Sequence, residues 1–258
     1  MRTISILNFK GGIGKTSLAI NLSDELRRQG LNVVLVDCDR QRNASSIIPG
    51  FSYDDSENVV GQTLKEVLMG QTTLLETLYE AREGLYVVPA HKNLELAAKH
   101  LTISGPRTMK ALRNAVESLE VVDYVLFDHA PSYSPVTDAA LLASREMLIP
   151  VEMEAFSMLG LLDMINKLTE SLAELEHEVA ITGIVPSNLD FSKRMTSLYL
   201  DKLREEFGER VTSPVRTDAQ ISKSQSVRQT VWEYNQHSKG AEDYAAIARL
   251  LAEQEVLA

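Results

Sequence analysis

A short glycine-rich segment near the start of the chain has residue types suited to phosphate binding. Residues 8–17 read Asn-Phe-Lys-Gly-Gly-Ile-Gly-Lys-Thr-Ser. The backbone N–H groups of such a loop point toward an anion, Lys15 is placed to reach the β- and γ-phosphates, and the hydroxyl of Thr16 is placed to ligate Mg²⁺. The segment therefore predicts a site for a nucleoside triphosphate and magnesium.

The loop departs from the common phosphate-loop pattern at its first position. The pattern G-x-x-x-x-G-K-[ST] needs a glycine where this chain has Phe9. A second lysine, Lys10, follows it, and this lysine has no evident role toward its own chain's phosphates because Lys15 already serves them. The residues expected to contact the nucleotide are Gly11, Gly12, Ile13, Gly14, Lys15, Thr16 and Ser17.

Carboxylates follow two other apolar segments. They are Asp37 and Asp39, after Val33–Val36, and Asp128, after Tyr124–Phe127. The carboxyl ends of parallel strands meet at one edge of a sheet, so these side chains and the loop should lie together. We expect Asp128 and Thr16 to hold Mg²⁺, Asp39 to orient or activate the attacking water, and Asp37 to support the metal shell. One such Asp would most simply be a helix cap, but three beside a phosphate loop favour hydrolysis.

Alternating strand and helix patterns must position these residues. The strand-like segments are Ile4–Leu7, Val33–Val36, Leu85–Val88, Tyr124–Phe127, Met147–Pro150 and Ala180–Val185. The clearest helical patterns are the segment after Lys15, Leu159–Leu175, Ser197–Phe207 and Ala241–Leu251. Several strands are apolar on both faces, as buried parallel strands are. We expect an α/β fold, a doubly wound and mostly parallel sheet flanked by helices, in a single domain over residues 1–258, with Pro49–Asn58 as a surface loop.

Composition limits the function classes. The chain has 258 residues, of which 44% are hydrophobic and 24% charged, which is typical of a soluble globular protein. We find no apolar run near the roughly 18 residues that a membrane span needs. The single cysteine, Cys38, excludes an internal disulfide and a cluster of several thiolates, and it fits a cytoplasmic location. The net charge is −10, but Pro186–Gly240 has more cations than anions, which suits an ordinary solvated surface as well as a nucleic-acid face.

Several segments together resemble the ParA/MinD family of deviant Walker ATPases, which have the P-loop NTPase fold. They are the loop Lys10–Thr16, the strand end Asp37-Cys38-Asp39-x-Gln41, the strand end at Asp128, and the segments Ile149–Glu154, Gly183–Pro186 and Ser238–Glu242. The resemblance covers nearly the whole chain. Its ParA branch, which positions plasmids, chromosomes or protein cargo, fits best.

The resemblance implies an ATP-dependent homodimer. In this family the lysine at the position of Lys10 crosses the dimer interface and contacts the partner's nucleotide, so that ATP is sandwiched between two chains. It also implies non-specific DNA binding on the nucleoid, slow intrinsic hydrolysis, and stimulation by a ParB-like or adaptor partner. It places Asn188 and Pro214 near the adenine. The candidate DNA contacts are Lys193, Arg194, Arg216, Lys223 and Arg228.

The chain departs from the family pattern at two strand ends. Arg40 and Arg42 stand where many relatives have Pro and Gly, and these cations could alter the interface or the partner site. His129 follows Asp128 where relatives often have Cys, and we interpret it as a structural histidine. Trp232 is interpreted as a packing residue rather than a platform for a base.

Two other functions stay open. A MinD-like ATPase that cycles on a membrane would need a basic amphipathic C-terminal helix, and residues 245–255 contain one cation, Arg249. We therefore expect no membrane binding. A metabolic enzyme on the same scaffold is the second alternative. Redox relatives need cluster cysteines, whereas a ligase- or synthetase-like ATPase does not, although such an enzyme would leave Lys10 unexplained.

Overall fold

A seven-stranded sheet forms the centre of the computed structural model, which describes residues 1–51, 62–152 and 158–254. The strands are β1 (Arg2–Ile6), β2 (Val33–Cys38), β3 (Tyr79–Arg82), β4 (Leu85–Val88), β5 (Tyr124–His129), β6 (Glu146–Glu152) and β7 (Ala180–Ser187). Their order is β3-β4-β2-β5-β1-β6-β7, and every neighbouring pair is parallel except β3–β4. The predicted doubly wound α/β sheet of a P-loop NTPase is confirmed.

Helices connect the strands and cover the sheet. They are α1 (Lys15–Arg28), α2 (Asn43–Ile47), α3 (Leu64–Leu68), α4 (Leu94–Ser104), α5 (Pro106–Glu117), α6 (Pro135–Leu142), α7 (Met158–Glu174), α8 (Arg194–Phe207), α9 (Ala219–Ser226), α10 (Val231–Tyr234) and α11 (Lys239–Glu253). The predicted helices match α1, α7, α8 and α11, and α8 begins three residues earlier than expected. Of the predicted loop Pro49–Asn58, residues 52–58 lie outside the described part of the chain. No described helix has the length and apolar character to cross a bilayer.

Strand β3 was not predicted from the sequence. It is a short edge strand that pairs antiparallel with β4 through the two-residue turn Glu83-Gly84. Gly84 has a φ of 77°, a backbone conformation that glycine adopts without strain. The sequence Tyr-Glu-Ala-Arg lacks the apolar run that identifies the buried strands, so only the turn could have indicated it.

Apolar side chains fill both sides of the sheet. On one side, Leu18, Leu22 and Leu26 of α1 pack in the same cluster as Ile247 and Leu251 of α11. Helices α3 to α6 supply the cluster on the other side, and α7 and α8 pack around β6 and β7. Helix α1 is therefore fixed along its length, which fixes the loop that precedes it.

A buried ion pair supports the first strand. Arg2 of β1 pairs with Glu146 of β6 and donates to the carbonyl of Leu251 in α11. Thr182 Oγ1 of β7 donates to Glu146 Oε2 at 2.6 Å. Both charged side chains are almost fully buried, so removing one partner would leave an uncompensated charge in the interior. These contacts join three strands and the last helix at the edge of the sheet opposite to the loop.

Candidate functional site

The glycine loop lies between the end of β1 and the first turn of α1. Gly12 and Gly14 have φ values of 77° and 90°, which only glycine adopts readily. Gly14 is the residue before α1, so the unpaired N–H groups of the helix's first turn face the loop. A helix N-terminus that follows a glycine turn is an anion-binding arrangement. The local geometry therefore agrees with the phosphate-binding role expected for residues 11–17.

Lys15 points into the loop and away from solvent. The residue is only 7% exposed, and its Nζ donates to the carbonyl oxygen of Lys10 at 2.9 Å. Burial lowers the pKa of Lys15, while the nearby carboxylates of Asp128 and Asp39 oppose that shift. The ammonium group is thus held among three groups of the loop and the neighbouring strand ends. In this position it can neutralise an anion that enters the loop.

We call Lys15, Thr16, Asp37, Asp39 and Asp128 the carboxylate centre. Thr16 Oγ1 donates to Asp128 Oδ2 at 2.8 Å, so the two side chains that were predicted to hold Mg²⁺ are in contact. Asp128 is fully buried, and its Oδ1 has no hydrogen-bond partner among the described residues. Burial raises the pKa of Asp128 well above its usual value, and Asp37 raises it further. Hydroxyl and carboxylate oxygens are the donors that Mg²⁺ prefers, so this pair fits magnesium.

Asp37 has a different environment from Asp128. Its Oδ1 accepts from the backbone N–H of Asp39 at 3.0 Å, and its Oδ2 accepts from the N–H and hydroxyl of Ser45 at 2.8 and 2.6 Å. Burial raises the pKa of Asp37 to about 6 despite these bonds. Asp39 Oδ1 in turn accepts from the N–H of Gln41 at 2.9 Å. Asp37 therefore fixes the turn that carries Asp39, and this turn lies beside the expected position of the metal.

Lys10 faces outward, unlike Lys15. Its side chain is 44% exposed, and its Nζ forms an ion pair with Glu152 Oε2 at 2.6 Å. Asn188 Nδ2 donates to the other oxygen of Glu152 at 3.3 Å. The sequence interpretation missed this pair, although Glu152 lies in one of the family-like segments. An exposed ion pair contributes little free energy, so Lys10 can exchange Glu152 for a stronger anion.

A cleft of about 380 Å³ lies between the loop and the C-terminal part of the chain. Gly12, Gly14 and Ser17 line one side of it. We call the other side the C-terminal wall, and its residues are Ser187, Asn188, residues 215–219, Ile221, Ser222 and Tyr244. Asn188 has a φ of 56°, and its Oδ1 accepts from Thr217 Oγ1 at 3.0 Å. Asn188 thus borders the cleft, whereas Val215 rather than Pro214 is a lining residue; the adenine contacts expected of Asn188 and Pro214 stay predictions.

The five candidate DNA contacts differ in their surroundings. Lys193, Arg194, Lys223 and Arg228 are exposed. Arg216 is only partly exposed, and its guanidinium pairs with Asp243 at 2.7 Å and Glu242 at 2.9 Å. The two carboxylates pair with Nε and Nη2 of the guanidinium. Arg216 is therefore less exposed to solvent than the other four cations.

His129 and Trp232 occupy interior and packing positions. His129 is buried, and its Nε2 lies 2.8 Å from Ser5 Oγ. Burial, assisted by the charge of Lys15, lowers the pKa of His129 to about 3, so the ring is neutral. The ring of Trp232 lies 3.4 Å from the guanidinium carbon of Arg28 and packs beside the main core. Both placements agree with the structural roles expected for these residues.

The fold and the loop define a P-loop NTPase. A family model described as an AAA domain matches residues 1–181. The chromosome-partitioning ATPase Soj of Thermus thermophilus is 31% identical over 96% of this chain and 94% of its own. The chain therefore belongs to the ParA/Soj family of P-loop ATPases.

Solved structures support the same fold. McdA of Cyanothece, in a complex with ATP, superposes with a TM-score of 0.82 at 21% identity, over 100% of this chain and 99% of its own. Cobyrinic acid a,c-diamide synthase of Mycobacterium smegmatis, with a bound ATP analogue and magnesium, gives a TM-score of 0.80 at 23% identity, over 98% of this chain and 94% of its own. Proteins with names as different as McdA and a diamide synthase thus share this architecture, so the fold alone does not decide the function.

Proposed function

We propose that this chain is a positioning ATPase that forms a homodimer around ATP, binds DNA without sequence preference, and moves a cargo with a ParB-like or adaptor partner. The observation that supports it best is the different orientation of two lysines in one loop. Lys15 is buried and points into the loop, and Lys10 is exposed at its outer surface. A loop that bound only its own nucleotide would need one of them. The second lysine is explained if a partner chain brings a second triphosphate to it.

The carboxylate centre supports ATP and Mg²⁺ as cofactors. Thr16 Oγ1 and the unpartnered Oδ1 of Asp128 would hold the cation beside the phosphates. Magnesium would supply a Lewis acid that neutralises charge on the phosphate oxygens. The loop N–H groups and Lys15 would bind the phosphates in a fixed geometry, which is the main protein contribution in phosphoryl transfer. The ATP bound in the McdA structure and the ATP analogue and magnesium bound in the synthase structure are consistent with this assignment.

Asp39 is proposed to orient the attacking water. Its turn is anchored by Asp37 on one side and by the N–H of Gln41 on the other, so its carboxylate has little freedom. A carboxylate fixed at this edge can accept a proton from water in line with the terminal phosphate. Intrinsic hydrolysis is expected to be slow, because contacts from the partner protein would be needed to complete the arrangement of Asp39, water and phosphate. The partner's stimulation is part of the proposal.

DNA binding is proposed for the dimer only. The chain has a net charge of −10, so a single copy should be repelled by DNA. Two copies would place the exposed cations Lys193, Arg194, Lys223 and Arg228 on one particle. Binding should then require ATP, ignore base sequence and weaken steeply with salt, because contacts to phosphates release counterions. Such binding would hold the protein on the nucleoid.

Sedimentation of three variants tests the central claim. In an Asp39→Ala background, which should bind ATP without hydrolysing it, the protein with ATP and Mg²⁺ should sediment as a dimer. Adding Lys10→Ala should give monomers that still bind ATP, because Lys10 does not face its own loop. Adding Lys110→Ala, which removes an exposed lysine of α5, is the matched control and should leave the dimer intact. A dimer in the Lys10→Ala protein would refute the proposal.

A further inference from the structure

One side chain of α9 contacts the first turn of α1. Gln225 Nε2 donates to Ser17 Oγ at 2.7 Å, although the two residues are 208 positions apart. Ser17 lines the cleft together with Ala219, Ile221 and Ser222 of α9. Gln225 is not a lining residue, so it influences the cleft through the hydroxyl of Ser17. It also lies beyond residue 181, where the match to the family model ends.

The hydrogen bond decides what Ser17 can offer to a ligand. A serine hydroxyl has one hydrogen and two lone pairs. Because the Oγ atom of Ser17 accepts from the amide of Gln225, its hydrogen remains available for donation. A phosphate oxygen only accepts, and a hydrogen bond to an ionised oxygen is stronger than one between neutral groups. Gln225 thus leaves Ser17 in the state that a phosphate requires.

Contacts at both ends of α9 fix Gln225 in this position. Asp218 caps the helix by accepting from the N–H of Gln220 at 2.9 Å and also accepts from the N–H of Gly240 at 2.9 Å. Beyond the helix, the N–H of Val231 donates to Asn21 Oδ1 of α1 at 2.8 Å. Thr230 Oγ1 donates to Asp24 of α1 at 3.1 Å. Helix α9 is therefore anchored against α1 rather than loosely placed at the surface.

We propose that Gln225 is a positioning residue of the nucleotide site, which holds Ser17 as a hydrogen-bond donor toward a phosphate of the bound nucleotide. The inference rests on the proposed function, in which the loop binds nucleotide. It adds a contribution from the C-terminal part of the chain to phosphate binding, which the loop motif itself does not contain.

Two replacements of Gln225 separate its chemistry from its size. In Gln225→Glu the carboxylate can only accept, so it takes the hydrogen of Ser17 and adds a negative charge near the phosphates. We expect this change to weaken ATP and ADP binding by ~10-fold, the loss of one hydrogen bond to a charged group. In Gln225→Met the side chain has a similar length but cannot donate a hydrogen bond to Ser17. We expect ~3-fold weaker nucleotide binding, because only a contact that orients the hydroxyl is lost. Titration of the full chain with a fluorescent ATP analogue and with a fluorescent ADP analogue measures both.

A double-mutant cycle shows whether Gln225 acts through Ser17. In the Ser17→Ala background, Gln225→Met should have no further effect on nucleotide affinity. Gln229→Glu introduces the same charge at an exposed site near α9 and should bind nucleotide as the wild type does. Thermal unfolding of each variant, monitored by circular dichroism, reports any loss of folded protein. A purely structural Gln225 would lower the melting temperature without the dependence on Ser17.

Two results would overturn the inference. One is wild-type nucleotide affinity in Gln225→Glu, and the other is an equal loss from Gln225→Met with and without the hydroxyl of Ser17. Failure of the underlying function gives a different result. In that case the wild-type chain itself does not bind ATP, or it binds ATP equally well after Lys15→Ala.

Discussion

The carboxylate centre and the C-terminal wall face the same edge of the sheet but differ in their contact with solvent. Asp37 and Asp128 are completely buried, and Lys15 is 7% exposed. In the C-terminal wall, Asn188 and Thr217 are exposed, and the Arg216 ion pair includes Glu242, whose side chain is 62% exposed. Charges removed from water interact far more strongly than charges at the surface. We therefore expect changes in the first region to decide whether a nucleotide binds, and changes in the second to alter how tightly it binds.

Lys15→Ala should have the largest effect on nucleotide affinity. A small effect would contradict the comparison between the carboxylate centre and the C-terminal wall. The loop would lose the one buried cation that faces the phosphates, and the carboxylates of Asp128 and Asp39 would lose their counter-charge. We expect nucleotide affinity to fall by at least ~100-fold, in line with the ~3–5 kcal/mol that follow when a buried ion pair loses one partner. Isothermal titration with ATP and Mg²⁺ measures it. Lys110→Ala, which removes an exposed lysine of α5, is the control and should bind as the wild type does.

Charge reversal at α9 should have the next largest effect, and on DNA only. Lys223→Glu combined with Arg228→Glu should weaken ATP-dependent DNA binding by ~10-fold or more and reduce its salt dependence, because fewer counterions are released. ATP affinity should stay unchanged. Arg107→Glu combined with Lys110→Glu makes the same change on α5 and is the matched control. Equal losses from both double variants, measured by fluorescence anisotropy, would mean that net charge rather than location matters.

The buried histidine beside Asp128 should make stability depend on pH. The pKa of His129 is about 3 in the folded chain, against 6.5 without burial, so between these values only the unfolded state takes up the proton. Stability is complete above pH 6.5 and falls as the pH falls, by up to about 1.4 kcal/mol per pH unit. Asp37 acts in the opposite sense, because its pKa is raised to about 6 and its stabilising contribution falls as the pH rises through that value.

Comparison with His129→Gln isolates the histidine. Glutamine keeps an amide for Ser5 and does not titrate, whereas Asp37 is unchanged in both proteins. Urea unfolding between pH 4.5 and 6.5 should show that the free energy of unfolding falls less steeply with decreasing pH in the variant. The same slope in both proteins would remove His129 as the cause.

Arg216→Met should have the smallest effect. Its partner Glu242 is 62% exposed, and such a surface pair contributes at most ~1 kcal/mol to stability. Asp243 is only 10% exposed, but it keeps the backbone N–H of residue 216 as a donor in the variant. We expect a free energy of unfolding within that amount of the wild type and nearly unchanged DNA affinity, because the carboxylates already occupy the guanidinium. A large loss of DNA binding would show instead that Arg216 exchanges its carboxylates for phosphate.

Each part of the site that was predicted from the sequence lies in a short local motif. The loop from Lys10 to Thr16 is contiguous, and each Asp follows a strand whose apolar run is visible, so adjacency at the sheet edge followed from the fold. Strand β3 could not be predicted in the same way, because an edge strand needs no apolar run. The contacts Lys10–Glu152 and Ser17–Gln225 join distant positions through ordinary polar residues. No local pattern marks such pairs, and only the folded chain brings them together.

The buried network of Arg2 has a consequence for synthesis. Arg2 and the loop that follows it are translated before the partners of Arg2, which are Glu146 and the carbonyl of Leu251, 144 and 249 positions further along the chain. During elongation β1 has no neighbouring strand until β5 and β6 have left the ribosome, and Arg2 gains its last partner only with α11; pairing across such separations is slow. The loop is therefore made before the two strands and the last helix that support the strand in front of it. We therefore expect a nascent chain to engage nucleotide at this loop only after β5, β6 and α11 have left the ribosome.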